Sequence, residues 1–405
     1  MPVYLDHAAT TPLRPEARDA LVAALGVVGN PSSIHTMGQH AKRLLEEARE
    51  TIASGLGADP IEVVFTSTGT EAVNLAIKGL YWRRQQDALR PVVVVPDGEH
   101  HATIDTVEWL ERHEGAEIVH VPLDADGRVD VTALEAVLER EGQRVAVVSM
   151  LWASNEIGTI QPVEAVAALA ARYDVPLHVD AIAAYGHVPI DLKAVRAASG
   201  SRGATGLVAV SVSAHKIGGP VGIAALVLAR SAEVEPLLHG GGQQRRLRSG
   251  TQDLAAAVSF AAASSVALAD LDAESARLGA LRDRLVAGVA ESVPGARLNG
   301  DAHDRLPGNA HFSFEGCEGD SLLFLLDASG VSVSTGSACQ AGVAEPSHVL
   351  LALGRSEVEA RGALRVTLGH TTTDDDVDAF LAALPAAHAQ ASRAGMAARS
   401  TSFDR

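Results

Sequence analysis

The chain has 405 residues, 47% hydrophobic and 20% charged, which is ample material for a core and excludes a disordered chain. That length accommodates two to three domains of ordinary size, or one large α/β unit with a smaller satellite. Its 33 basic and 50 acidic residues leave a net charge of −17, and aromatics are only 3%; a general positive field or a stacking platform for nucleic acid is therefore not expected.

The start, Met1-Pro-Val-Tyr-Leu-Asp-His7, lacks a basic stretch followed by an apolar one, so no export signal is expected. No uninterrupted apolar run approaches the roughly 20 residues of a membrane span. From there the chain alternates strands and helices. Residues 62–66 read as a short strand and 71–78 as the start of a helix. Residues 91–95 and 117–121 read as strands, and 129–140 as a helix. Residues 145–151, 175–180, 207–212 and 223–228 read as further strands. Continuous β-branched runs between helices predict a mostly parallel sheet covered on both faces, with ligands outside the carboxyl ends of its strands.

After Gly240-Gly-Gly242, residues 254–292 read as one long helix. The texture then changes to an α+β module: strands at 309–314, 331–333 and 363–368 and a helix at 321–326. The domain reading is an N-terminal segment 1–14 joining the small domain, a large domain 15–259, a small domain 260–386, and a frayed tail 387–405. Two cysteines, Cys317 and Cys339, cannot make a disulfide scaffold, and the absence of a Cys-x-x-Cys pair argues against a thiolate zinc site. A cytoplasmic protein with free thiols is expected, one of them chemically active.

Three segments point to chemistry. In Ser211-Val-Ser-Ala-His-Lys-Ile-Gly-Gly-Pro220 a strand ends and Lys216 is left on the ligand side of the sheet, a useful Schiff-base former if its pKa is depressed. A lone loop lysine is usually solvated. Asp180 ends another strand, where a pyridoxal phosphate (PLP) site needs an acid to keep the pyridine nitrogen protonated. Thr66-Ser-Thr-Gly-Thr-Glu71 leaves N–H groups and hydroxyls at a helix start, a ready phosphate site, although such a start is usually only a cap. The order phosphate loop, Asp, Lys specifies a fold-type-I PLP enzyme.

The chain resembles the cysteine desulfurases of the IscS/NifS kind in the class V aminotransferase superfamily. The matching segments include Tyr4-Leu-Asp-His-Ala-Ala-Thr-Thr-Pro12, Gly29-Asn-Pro-Ser-Ser33, Glu99-His100, Asn155-Glu-Ile-Gly158, Ser213-Ala-His-Lys216, Arg248-Ser-Gly-Thr251, Ser334-Thr-Gly-Ser-Ala-Cys339 and Leu364-Arg365, in family order. The resemblance implies a large domain with a mostly parallel seven-stranded sheet, a small α+β domain carrying Cys339, and a homodimer. It implies that Lys216 holds PLP and moves protons at the substrate α-carbon, that Asp180 pairs with the pyridinium, and that His100 stacks on the ring and serves in acid–base steps. Gly69, Thr70, Ser213 and His215 would bind the phosphate, with Thr251 reaching it from the other subunit. Asn155 would lie near both ring and substrate. Arg365 would fork onto the carboxylate of L-cysteine, with His7 and Asn30 on the substrate side.

Cys339 is the implied nucleophile. It would take sulfur from cysteine as a persulfide, leave alanine, and hand the sulfur to an acceptor such as an iron–sulfur scaffold or a sulfur carrier. No resident metal is implied, only a transient iron–sulfur contact at Cys339. Cys317, beside Glu315 and Glu318, reads as structural. His35, His178 and His187 read as surface or packing residues; His101 neighbours His100, and the alignment of Glu99-His100 favours His100 over it as the stacking residue. The alternative is a selenocysteine lyase or another PLP-dependent carbon–sulfur lyase, and a third reading is a catalytically weak homologue kept as a binding partner. One departure concerns the cofactor directly: Asp180-Ala-Ile-Ala183 carries alanine where the family usually has a glutamine that bonds the PLP phenolic oxygen.

Overall fold

The computed structural model describes residues 2–336 and 346–400, with the backbone alone over 394–400. The chain opens with a short strand, β1 (Val3–Tyr4), and two helices, α1 (Pro15–Leu25) and α2 (Thr36–Gly55). Next come β2 (Val63–Thr66), α3 (Gly69–Asp87), β3 (Val92–Pro96), α4 (His101–Glu114), β4 (Glu117–Val121) and α5 (Val131–Glu141). The large domain continues through β5 (Val145–Leu151), α6 (Val163–Arg172), β6 (Pro176–Asp180), α7 (Leu192–Ser199), β7 (Gly206–Ser213) and β8 (Ala224–Leu228).

Strands β2 to β8 form a seven-stranded sheet in the order β2-β8-β7-β6-β5-β3-β4, in which β8 alone runs against the others. Strands β3, β5, β6 and β7 are buried along their whole length, as their β-branched runs require. One face packs on α3 and α4, the other on α1, α2, α5 and α6. Six strands therefore point their carboxyl ends to one edge.

Two helices follow, α8 (Leu254–Ala269) and α9 (Leu271–Ser292), bent by 71° where one continuous helix is predicted. The bend at Asp270 marks a change of partner. Phe260, Ala263 and Ala267 of α8 belong to the large core, whereas Leu278, Leu281 and Leu285 of α9 belong to the small one. The expected boundary at 259/260 thus falls inside α8, and the break between cores lies near 270. Among the described residues no single helix is long and apolar enough to cross a membrane.

The small domain contains β9 (Arg297–Leu298), β10 (Asn309–Ser313), α10 (Gly319–Ala328), β11 (Val331–Ser332), α11 (His348–Ala352), α12 (Glu357–Arg361), β12 (Ala363–Thr367) and α13 (Asp374–Ser400). β12, β10 and β9 form an antiparallel sheet, and β1 pairs with β11. The tail expected to fray from 387 is helical through Ser400. Ala387 and Ala391 are buried, and Ser392 touches Cys317 at 3.1 Å.

The N-terminal segment bridges the domains. Asp6 bridges to Thr367 of β12, and five residues on the Thr11 N–H donates to the His215 carbonyl at 2.9 Å. Arg14 then donates from its backbone to Gly218 and from its side chain to Ile217.

Candidate active site

A cavity of about 430 Å³ lies at the carboxyl edge of the sheet, with Lys216 and Asp180 on its floor and Ser334, Gly336 and Arg365 of the small domain on its rim. That is the size of a small-molecule site. Lys216 stands three residues past the end of β7, before the chain turns back into β8. Its Nζ donates to the Ala8 carbonyl of the bridging segment.

Asp180 ends β6 and is 3% exposed. Burial pushes its carboxyl up to about 6, against the Ile182 N–H that it accepts at 2.9 Å and the Lys216 charge. His100 caps α4: its Nδ1 accepts from the Ala102 N–H at 3.0 Å, so the neutral ring carries its proton on Nε2. Burial, and then the Lys216 charge, hold its pKa down to about 4. The same two causes bring His215 to about 4. At neutral pH both rings are uncharged.

The start of α3 supplies the anion end of the floor. Thr68 caps the helix by accepting the Glu71 N–H at 3.0 Å, and Glu71 returns to accept the Ser67 N–H at 2.7 Å. Arg248 holds Glu71 at 2.9 Å. A Cβ at Gly69 would meet the tip of the Ile182 side chain, which would have to swing aside. Ser213 is buried beside it. The helix can therefore present its first N–H groups, together with the Thr70 hydroxyl, to a phosphate.

On the rim Arg365 is 5% exposed. It donates to Asp6 Oδ1 at 2.9 Å and to the Asn155 carbonyl at 3.0 Å, and its buried Nε–H has no partner among the described residues. A guanidinium so aligned has an edge left for a carboxylate.

Not every expected residue comes to this cavity. His7 lines a smaller one of about 40 Å³ behind Lys216, shared with Asn155, Ala183 and His187. Asn30 lines neither cavity; it is exposed and accepts the Ser32 N–H at 2.9 Å. Thr251 is exposed and lines neither cavity of its own chain. Cys339 lies outside the described residues. His178 is a packing residue: it is buried between the Ser149 and Ser211 hydroxyls, 2.9 Å from each, and burial lowers it to about 3. Sequence reasoning missed Asp6, His187 and Glu99. His187 Nε2 lies 3.2 Å from the Lys216 carbonyl. Glu99, which accepts the Leu151 N–H at 2.9 Å, is pushed well above the usual carboxylate range by burial. The signal for Asp6 was its place in the N-terminal signature, next to His7.

The residues fit PLP. A buried acid suits a pyridinium, an open helix start suits a phosphate, and a lysine at the strand ends suits an aldehyde carbon. Fold and cavity together define a fold-type-I PLP-dependent enzyme.

The class-V aminotransferase family model matches residues 3–380. An IscS-like cysteine desulfurase of Mycobacterium tuberculosis is 52% identical over 401 residues, covering 98% of this chain and 99% of its own. Cysteine desulfurase IscS of Dictyoglomus turgidum is 40% identical over 377 residues, covering 93% and 92%. A solved NifS-like protein superposes with a TM-score of 0.86 at 32% identity, covering 95% and 99%. The chain belongs to the class-V aminotransferase family and, within it, to the cysteine desulfurases.

Proposed function

We propose that this chain converts L-cysteine to L-alanine and holds the released sulfur as a persulfide on Cys339 for a protein acceptor. The observation that carries the reading is the meeting of Lys216, Asp180 and His100 of one domain with Arg365 of the other around one cavity. PLP bound there supplies an electron sink for the substrate α-carbon. Lys216 holds the cofactor and afterwards moves a proton at that carbon. Asp180 keeps the ring nitrogen protonated. The neutral His100 packs on the ring and has an Nε2–H to donate. Gly69, Thr70, Ser213 and His215 hold the phosphate. Arg365 and Asn155 hold the substrate carboxylate, with Asp6 aligning the guanidinium.

The Cys339 thiolate attacks the substrate sulfur. The sulfur–sulfur bond forms as the carbon–sulfur bond breaks, the electron pair stays with the carbon skeleton, and protonation completes alanine. An iron–sulfur scaffold or a sulfur carrier takes the persulfide sulfur in a cytoplasmic setting. The protein acts as a homodimer, with Thr251 reaching the partner subunit's phosphate. Leu25, Val28, Ile34 and Val221, between 70% and 91% exposed, support an apolar contact between subunits.

The test is chemical stoichiometry. Cysteine should yield alanine and a Cys339 persulfide one for one in a single turnover without reductant, and borohydride reduction should place the cofactor on Lys216. Adduct on another lysine, or alanine without persulfide, overturns the reading.

A further inference from the structure

We propose, on the reading of His100 as the residue that packs on the cofactor ring, that His348 is a positioning residue. From the small domain it holds the turn of the large domain that carries His100.

That turn, residues 97–100, joins β3 to α4. The large domain fixes it at two points. The Asp97 N–H donates to the Val121 carbonyl at 2.8 Å, and Glu99 Oε1 accepts the Leu151 N–H at 2.9 Å. Leu151 pairs with Asp180 and lines the main cavity, so the second bond keeps the turn in register with the buried acid. Between the two points stands Gly98, with φ of +77°, the residue type that loses most freedom when it is ordered. The turn therefore needs support from outside its own domain.

Helix α11 supplies it. Ser347 caps this helix by accepting the Leu350 N–H at 3.1 Å, which makes His348 its first residue. His348 Nε2 donates to the Glu99 carbonyl at 2.8 Å; a carbonyl only accepts, so the imidazole proton is on Nε2. The His348 ring meets the His101 ring edge-on, with centroids 5.0 Å apart. Val349 covers Gly98: a Cβ on that glycine would stand 3.6 Å from Val349 Cγ1. Residues 98, 99 and 101 thus each meet α11, and His100 among them lines the cavity. An apolar side chain at 348 could pack on His101 equally well, but it would take the donor from the Glu99 carbonyl. The same helix is tied to the substrate end. Val349 and Leu350 share a buried apolar cluster with Ala363, two residues before Arg365. His100 and Arg365, on different domains, are therefore referred to one short helix.

The experiment compares wild type, His348→Ala, His348→Gln, His100→Ala and the double variant His348→Ala/His100→Ala as holoenzymes. Three readouts are taken: amide hydrogen exchange over residues 97–105 with β2 as reference, the visible circular dichroism of the cofactor, and steady-state alanine formation. Loss of one hydrogen bond in His348→Ala should speed exchange over 97–105 by about fivefold and leave β2 at the wild-type rate. The visible ellipticity should change, and kcat should fall by about tenfold with KM and PLP content near wild type. Glutamine can place an amide N–H where the imidazole Nε2–H stands, so His348→Gln should return exchange and kcat to within about threefold of wild type. In the His100→Ala background, His348→Ala should still speed exchange but change kcat by less than about twofold, because its effect on turnover passes through His100. Wild-type exchange over 97–105 in His348→Ala, a glutamine that behaves like alanine, or a full loss of kcat in the His100→Ala background would each overturn the proposal. Wild-type turnover and ellipticity in His100→Ala would instead sink the reading of His100 at the ring, and the exchange rates would still decide for or against His348.

Discussion

The floor and the rim of the cavity are built from opposite materials. The floor is made of strand ends. Asp180, His100 and His215 stand among buried apolar residues, and each has its pKa moved by burial, to about 6, 4 and 4. The rim is made of cross-domain polar contacts: Arg365 with Asp6, Arg365 with the Asn155 carbonyl, Ser347 with Glu156. Isolation suits groups that must tune protons, because desolvation shifts a titration where exposure would not. Pairing suits groups that must hold a direction and then accept a ligand, because one partner can be joined or replaced by another. On the proposed reading, the floor is thus suited to cofactor chemistry and the rim to binding substrate.

Removing the proposed nucleophile should have the largest effect. Cys339→Ser is expected to lower alanine formation by roughly 10³-fold or more, with PLP retained and the spectral response to cysteine intact. Cys317→Ser should remain within about twofold, since Cys317 is buried beside Ser392 and burial keeps its thiol pKa above the ordinary value. Near-normal alanine formation by Cys339→Ser would exclude Cys339 as the nucleophile and leave the sulfur chemistry to residues that line the cavity.

Asp180 tests the floor through stability. Its pKa is about 6 when folded against an ordinary 3.8. Between those values the folded apoprotein binds more protons than the unfolded chain, so stability falls as pH rises through the window. Above it the ionised carboxylate costs about 3 kcal/mol. Asp180→Asn should therefore raise the melting temperature of the apoprotein at pH 8 and leave it unchanged near pH 4, while weakening PLP retention. A lower melting temperature for the Asp180→Asn apoprotein at pH 8 would mean that the carboxylate is paired and not isolated.

Arg365→Lys tests the rim. It keeps the charge and loses the fork, so KM for cysteine should rise by about 10- to 100-fold, the equivalent of a charge-assisted bond of about 1.5–3 kcal/mol, with a smaller change in kcat. An unchanged KM would remove Arg365 from the substrate carboxylate.

The floor was more legible in the sequence than the rim. Runs such as Val92–Val95 and Val145–Leu151 announce buried strands, and Asp180 and Lys216 follow such runs directly, so their place at the sheet edge could be read from the chain. The rim depends on contacts between residues far apart in sequence. Nothing local separates Glu156 or Asp6 from an exposed acid, yet their partners stand 191 and 359 positions away. The bend at Asp270 was hidden for a similar reason: no proline or glycine stands there, and the turn comes from the two cores that α8 and α9 serve. The frayed-tail expectation failed differently. Val377, Phe380, Leu384, Ala387 and Ala391 recur at helical spacing and are all buried, but the later members are alanines and were too small to register as a stripe.

Ala183 offers the smallest and most local probe, because it lines both the main cavity and the small one behind Lys216. The resemblance leads one to expect a glutamine here, donating a charge-assisted bond of about 1.5–3 kcal/mol to the cofactor's phenolic oxygen. Losing that bond outright would move the cofactor's titration by about one to two pH units. The small cavity changes the expectation. At about 40 Å³ it has room for a water, and Asn155, His7, His187 and Lys216 stand on its wall as polar partners. A water bridging those groups recovers most of a direct hydrogen bond. Ala183→Gln should therefore shift the pH midpoint of the visible absorbance by less than about one unit and change turnover by less than about tenfold. His187→Ala in the otherwise unchanged chain should itself move that midpoint, and the same change in the Ala183→Gln background should not, since the glutamine would no longer need the cavity's water. A shift of about two units in Ala183→Gln would mean that the floor leaves the phenolic oxygen without a donor and tunes its cofactor by isolation alone.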